Sequence, residues 1–370
     1  MSDFKPDQPA MLALLKRLVE TESPSNDKTA VDRVGSIVVD ECRRLGAQLE
    51  IHPQFSTGDL VEAHWGHGTG GFLLLCHMDT VFPIGTLQRM PFYEKDSKVF
   101  GPGTSDMKGG VVVALSAIAA ALTSGNLSHP ITALFTSDEE IGSTSSRSLI
   151  ERLAKESALV LVLEPAMLDG SVKTWRKGVG EFIIHVHGRA AHAGGDHEKG
   201  RNAIEELAHQ VLVIQKMTDY QKGTTFNVGT IHGGTTSNVV PEEATAVVDF
   251  RITEPGEAHR ISTAMLELKP VLDGTSIEVT GGLERPPMPF NDVNRNAFDK
   301  MKGIASTLGI ELKAGGTGGA SDANFVAPLG IPVLDGLGAV GGEAHSEREF
   351  IFADSLTERT RLLAGILCEW

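Results

Sequence analysis

The sequence predicts an open, twisted, mostly parallel α/β sheet with helices on both faces, interrupted by a small inserted α+β domain. Three observations carry this. Short apolar runs closed by polar or Gly-rich turns recur at 71–76, 131–136, 159–163 and 331–334, and continuous runs of that length suit strands buried on both faces. Segments of helical periodicity alternate with them. The middle of the chain changes pattern, and 370 residues exceed the usual span of one domain.

In chain order, Leu12, Leu14, Leu15, Leu18 and Val19 give helical spacing over 9–22, and 30–45 reads the same way. The Ala- and Val-rich stretch 107–122 supplies a further helix. From 179 to 188, Phe182, Ile184 and Val186 alternate with Glu181, His185 and His187, the mark of a half-exposed strand. A helix over 202–217, strands at 225–231 and 244–253, a helix over 257–272 and a strand at 276–280 complete a β-α-β-β-α-β order. After Gly281 and Gly282 the first style returns, with a helix over 294–308. We therefore expect a discontinuous domain of residues 1–176 and 285–370, and an insert of 177–284.

A net charge of −15 argues against nucleic acid or an anionic membrane as partner. Cys42, Cys76 and Cys368 are far apart and lack CxxC spacing, so neither a disulfide framework nor a thiolate metal site is expected. No leader pattern and no run of about 20 apolar residues are seen, which makes a soluble, cytoplasmic protein the expectation.

The chemistry-bearing residues gather at strand ends. His77 and Asp79 follow the run at 71–76, Glu139 and Glu140 follow 131–136, Glu164 follows 159–163, and His345 lies beyond 331–334. Asp106 opens the helix at 107. Ligands of open α/β sheets bind outside the carboxyl ends of the strands. Singly these residues are ordinary: a Glu-Glu pair is usually solvated surface, and an Asp at a helix start is usually a cap. Together they put repelling carboxylates and imidazoles on one rim, where a cation is the natural neutraliser. With no thiolate, imidazole and carboxylate donors suit zinc. The Gly-rich stretch 314–322 lacks the GK[ST] ending of a phosphate loop and reads as a close-approach turn. His185 and His187 read as one exposed strand face.

The segments LLLCHMDTV, GPGTSDMKGG, TSDEEIGS, LVLEPA and AHSEREF resemble, in order, the motifs of the zinc exopeptidase and aminoacylase family. That family includes glutamate carboxypeptidase, acetylornithine deacetylase, succinyl-diaminopimelate desuccinylase and aminoacylase, and the likeness is greatest to glutamate carboxypeptidase. The resemblance implies a zinc-exopeptidase-like main domain and a ferredoxin-like insert serving as lid and dimerisation domain. It implies two zinc ions, with cobalt or manganese as substitutes, bridged by Asp106. His77 and Glu164 would complete one site, and Glu140 and His345 the other. Asp79 would orient His77, Glu139 would act as general base and acid, and the Asp106–Met107 peptide would be cis.

In the insert, the resemblance casts His192 of AAHAGG as the group that polarises the scissile carbonyl, from its own or a neighbouring subunit. Asn238, Arg251 and Arg285 would hold a substrate carboxylate. The implied protein is a homodimer cleaving an amide bond of an N-acyl amino acid or short peptide beside a free carboxylate. Deacylases of the acetylornithine or succinyl-diaminopimelate type, and a non-enzymatic binding relative, are the alternatives.

Overall fold

The structure, a computed structural model, describes residues 4–370. Helices α1 (Gln8–Val19) and α2 (Lys28–Arg44) open the chain, each begun by an aspartate (Asp7, Asp27) whose side chain accepts a backbone N–H of the first turn. Strands β1 (Gln48–His52), β2 (Leu60–Trp65) and β3 (Phe72–His77) follow, then a short hairpin (Tyr93–Lys95, Lys98–Phe100). Next come α3 (Gly109–Ser124), β4 (Ile131–Thr136), α4 (Arg147–Lys155) and β5 (Leu159–Val162). The middle of the chain forms β6 (Gly178–His187), α5 (Ala203–Gln215), β7 (Thr225–Gly233), β8 (Glu243–Ile252), α6 (Pro255–Leu266) and β9 (Ser276–Arg285). Helix α7 (Asp292–Thr307), β10 (Val333–Leu334) and α8 (Ala353–Glu369) close it.

The chain divides into two compact units, 1–175 with 290–317 and 321–370, and 176–289 with 318–320. The first is built on a six-stranded sheet of order β1-β2-β4-β3-β5-β10. Its strands β4, β3, β5 and β10 run parallel, as the buried apolar runs require, but β2 pairs antiparallel with β4 and β1 with β2. The sheet is therefore mixed. The two antiparallel strands carry polar residues at Glu50, His52, Glu62 and His64, which breaks the apolar signal a buried strand gives.

Every residue of β3 is buried, and so is most of α3. By length and composition alone, the stretch Thr104–Ser124 could cross a bilayer. In the fold it is a core helix, its Val111–Val113, Ala117 and Ile118 packed in the main apolar cluster.

The second unit holds a four-stranded antiparallel sheet of order β7-β8-β6-β9. Phe182, Ile184 and Val186 of β6 register with Val248, Ala246 and Ala244 of β8 in its core, closed by Leu207 and Ile214 of α5 and Ile261 and Met265 of α6. Strand β9 runs on through Gly281 and Gly282 to Arg285, beyond the expected end at 280. A register shift between Leu283 and Arg285 makes Glu284 an extra residue. That bulge turns Arg285 from the core face of Val279 and Leu283 to the opposite one.

Candidate metal centre

The centre lies wholly within the first unit. His77 ends β3 with its imidazole buried at 1% exposure, fixed by the strand itself. Glu164 stands two residues past β5. Glu139 and Glu140 lie in a 3₁₀ turn (Glu139–Ile141) after β4, not on the strand end that the sequence suggests. Neighbours in such a turn diverge by about a third of a revolution, so the two side chains leave the backbone in different directions. Asp106 does not cap α3. It sits in a wide turn, Thr104–Lys108, with non-helical φ −114° and ψ 96°, and its peptide to Met107 is cis. His345 occupies a left-handed position, φ 63°, in the turn beyond Gly341–Gly342.

These turns bring five side chains together. His77 Nε2 lies 3.0 Å from Asp106 Oδ1 and 3.4 Å from Glu164 Oε1. His345 Nε2 lies 3.3 Å from Asp106 Oδ2 and 3.1 Å from Glu140 Oε2. The two oxygens of Asp106 thus divide between two triads, His77–Asp106–Glu164 and Asp106–Glu140–His345, each close enough to hold one metal ion.

The electrostatics fit a cation. Burial opposes charge on His77, yet Asp106, Asp79 and Glu164 hold its imidazole well above the usual histidine range. Asp106 and Glu140 push His345 up to about 11 against the pull of burial. Burial pushes Glu140 up, while burial of Asp106 is overcome by both histidines, which hold it far below the carboxylate range. Positive charge is therefore drawn to the point where the carboxylates converge. The second oxygen of Glu140 is buried with no hydrogen-bond partner among the described residues, an acceptor that a metal would satisfy.

Asp79 is fully buried beside this cluster. Its backbone carbonyl, at 3.0 Å, is the nearest partner of His77 Nδ1, and its carboxylate stands at 3.5 Å. That carboxylate accepts the Ser25 hydroxyl at 2.7 Å and the backbone N–H groups of Glu139 and Glu140 at 3.3 and 3.2 Å. Asp79 therefore anchors the Glu139–Glu140 turn as well as lying beside His77. Sequence reasoning missed Ser25 and Glu349. Glu349 accepts three backbone N–H groups of the Asp106 turn, and its neighbours Glu347 and Arg348 are exposed charges that give no hint of its burial.

The Gly-rich stretch makes the expected close approach: a Cβ on Gly316 would stand 2.1 Å from the Trp175 ring. Its Gly318–Ala320 portion belongs to the second unit.

The remaining candidates lie in the second unit. His192 is exposed, in a two-residue bridge between Ala191–His192 and Val239–Val240, and the Ala193 N–H donates to the Asn238 carbonyl. The backbone N–H groups of Gly194 and Gly195 donate to His192 Nδ1 at 3.1 and 3.0 Å. Nδ1 is thereby an acceptor, and a neutral His192 carries its proton on Nε2. Asn238 accepts the Thr236 hydroxyl at 3.0 Å. Arg251 and Arg285 both register against Val179, from strands on either side of β6. Arg251 is already paired: its guanidinium grips Asp249, two residues back on the same strand face, at 2.8–3.1 Å. Arg285 is 5% exposed.

Residues 73–369 match the sequence model of peptidase family M20/M25/M40. The chain is 30% identical over 375 residues to carboxypeptidase G2 of Pseudomonas sp. strain RS-16, covering 98% of this chain and 90% of that one. It is 29% identical over 386 residues to succinyl-diaminopimelate desuccinylase of Dechloromonas aromatica, covering 96% and 97%. The fold is also that of the aminopeptidase PepT from Bacillus cereus, with a TM-score of 0.81 at 21% identity over 98% of each chain. The chain belongs to peptidase family M20/M25/M40 and is a metal-dependent hydrolase.

Proposed function

We propose that this hydrolase binds two zinc ions and cleaves the amide bond of an N-acyl amino acid or short peptide beside a free carboxylate, as a carboxypeptidase. The division of the Asp106 oxygens between two triads carries the reading. His77 and Glu164 would hold one ion, Glu140 and His345 the other, and Asp106 both. The donor set of imidazoles and carboxylates suits zinc, with cobalt or manganese able to replace it. Bound there, the ions supply the positive charge that acidifies a water and polarises an amide carbonyl.

The chain's own residues do the rest. Glu139 takes the proton of the attacking water as the water oxygen bonds to the amide carbon. It then returns that proton to the leaving nitrogen as the C–N bond breaks. Asp79 holds Glu139 in place through its backbone N–H. His192, with its donor on Nε2, hydrogen-bonds the scissile carbonyl oxygen as negative charge grows there. Arg285 and Arg251, which flank Val179 from either side of β6, are the carboxylate ligands of this reading, with Asn238 beside His192. Likeness to the desuccinylase over most of the chain favours a second reading, an N-acyl amino acid deacylase, by the same chemistry.

A panel of N-acyl amino acids differing in acyl group and C-terminal residue, each also as its C-terminal amide, tests the substrate. A bidentate arginine–carboxylate contact contributes on the order of 1.5–3 kcal/mol, so Arg285→Ala should raise KM about 10- to 150-fold. Amidation should cost the wild type a similar factor and the variant almost nothing further. Additive losses would remove Arg285 from the carboxylate site.

The second unit reads as a lid and dimerisation domain. Its edge strand β7 leaves Ile231 half exposed, and α5 exposes Ile204, Leu212 and Val213. Bare edges invite a partner, and a two-fold copy covers both at once. Light scattering should give about twice 39.4 kDa, and Ile231→Asp should shift the mass toward one chain. A fully active wild-type monomer at micromolar concentration would refute the dimer.

A further inference from the structure

We infer that Glu349 is a positioning residue of the metal centre, gathering the backbone of the Asp106 turn so that its carboxylate is presented to both triads. The inference rests on the two-metal reading above. Glu349 is 0% exposed. Its Oε1 accepts the N–H groups of Ser105 at 2.7 Å and Asp106 at 2.9 Å, and its Oε2 that of Gly103 at 3.1 Å.

Those three donors have no helical alternative. They precede α3, where N–H groups lack intrahelical acceptors, and Gly103 is left-handed with φ 72° while Asp106 is extended. Without an internal acceptor the turn would have to open to water, carrying Asp106 with it. Glu349 also stands four residues past His345. Two successive turns hold this segment, the Ser346 N–H on the Glu343 carbonyl around His345 and the Glu349 N–H on the Ser346 carbonyl after it, both at 3.1 Å. One short segment therefore supplies His345 and clamps the turn that supplies Asp106. Nothing in this requires Glu349 to touch metal or substrate.

Glu349→Gln tests it, because an amide must set its NH₂ against one of the three N–H groups, donor facing donor. A second buried carboxylate serves as the control. Glu206, 0% exposed in the other unit, accepts the N–H groups of Val271 and Leu272 at 2.9 and 2.6 Å. Metal-free wild type, Glu349→Gln and Glu206→Gln are each titrated with zinc against a chromophoric chelator, and their metal-free melting temperatures are measured. Wild type should take two zinc ions, and Glu349→Gln should weaken zinc binding about 10- to 100-fold, the usual loss for an outer partner of a ligand. Excess zinc should restore part of its kcat. Glu206→Gln should lower the melting temperature and leave zinc affinity unchanged.

Wild-type zinc affinity in Glu349→Gln, with only a lower melting temperature, would overturn the inference. So would failure of both Glu349→Gln and Glu349→Asp to fold, since the residue would then serve folding. A wild type that binds fewer than two ions would instead overturn the two-metal reading, whatever the variants do.

Discussion

Glu139→Gln should retain both metal ions and lose activity by about 10²–10⁴ in kcat, the usual worth of acid–base catalysis. The amide keeps the size and hydrogen-bonding reach of the carboxylate but cannot take a proton from water. Its neighbour should behave in the opposite manner. Glu140 lies 3.1 Å from His345 with its other oxygen buried and without a hydrogen-bond partner among the described residues, so Glu140→Gln should reduce metal content before it affects anything else. Measuring bound metal and kcat on both variants separates the roles. Identical behaviour would mean that the 3₁₀ turn does not direct the two side chains to different tasks.

Asp106→Asn should be more damaging still. The carboxylate is the one group common to both triads, and a carboxamide offers a single uncharged acceptor oxygen where two anionic ones are needed. Metal content should fall from two ions per chain to one or none. Charge stabilisation by a bound metal is worth several kcal/mol, and each 1.4 kcal/mol is tenfold in rate, so kcat/KM should drop by about 10³ or more. Unlike that of Glu349→Gln, the loss should not be recovered at high zinc. A variant that keeps two ions and a tenth of wild-type activity would remove Asp106 from the centre of the account.

The parallel strands were legible because burial on both faces leaves an uninterrupted apolar run: β4 begins and ends where its sequence pattern does. The antiparallel pair β1 and β2 was not, since Glu62 is a buried carboxylate held by His52 and His64 at 2.7 and 2.8 Å, and such a residue reads as a loop or a surface. The rim of His and carboxylate groups was legible because strand ends carry them, but it was the family resemblance that picked His77, Asp106, Glu140, Glu164 and His345 out of that rim as ligands. What sequence spacing does not reveal is backbone satisfaction. Asp79 and Glu349 work by accepting N–H groups from turns distant in sequence, and no periodicity marks an acceptor of that kind. The pairing of Arg251 with Asp249 was readable in principle, because residues two apart on a strand share a face. Arg285 was not, because a one-residue bulge decides which face it takes.

The central claim is that two metal ions share Asp106, and crystals of the zinc-loaded protein test it most directly through anomalous scattering at the zinc edge. The account predicts two peaks per chain about 3.5–4 Å apart, one beside His77 and Glu164, the other beside Glu140 and His345, with an Asp106 oxygen on each. A single peak, or two peaks neither of which touches Asp106, would contradict it.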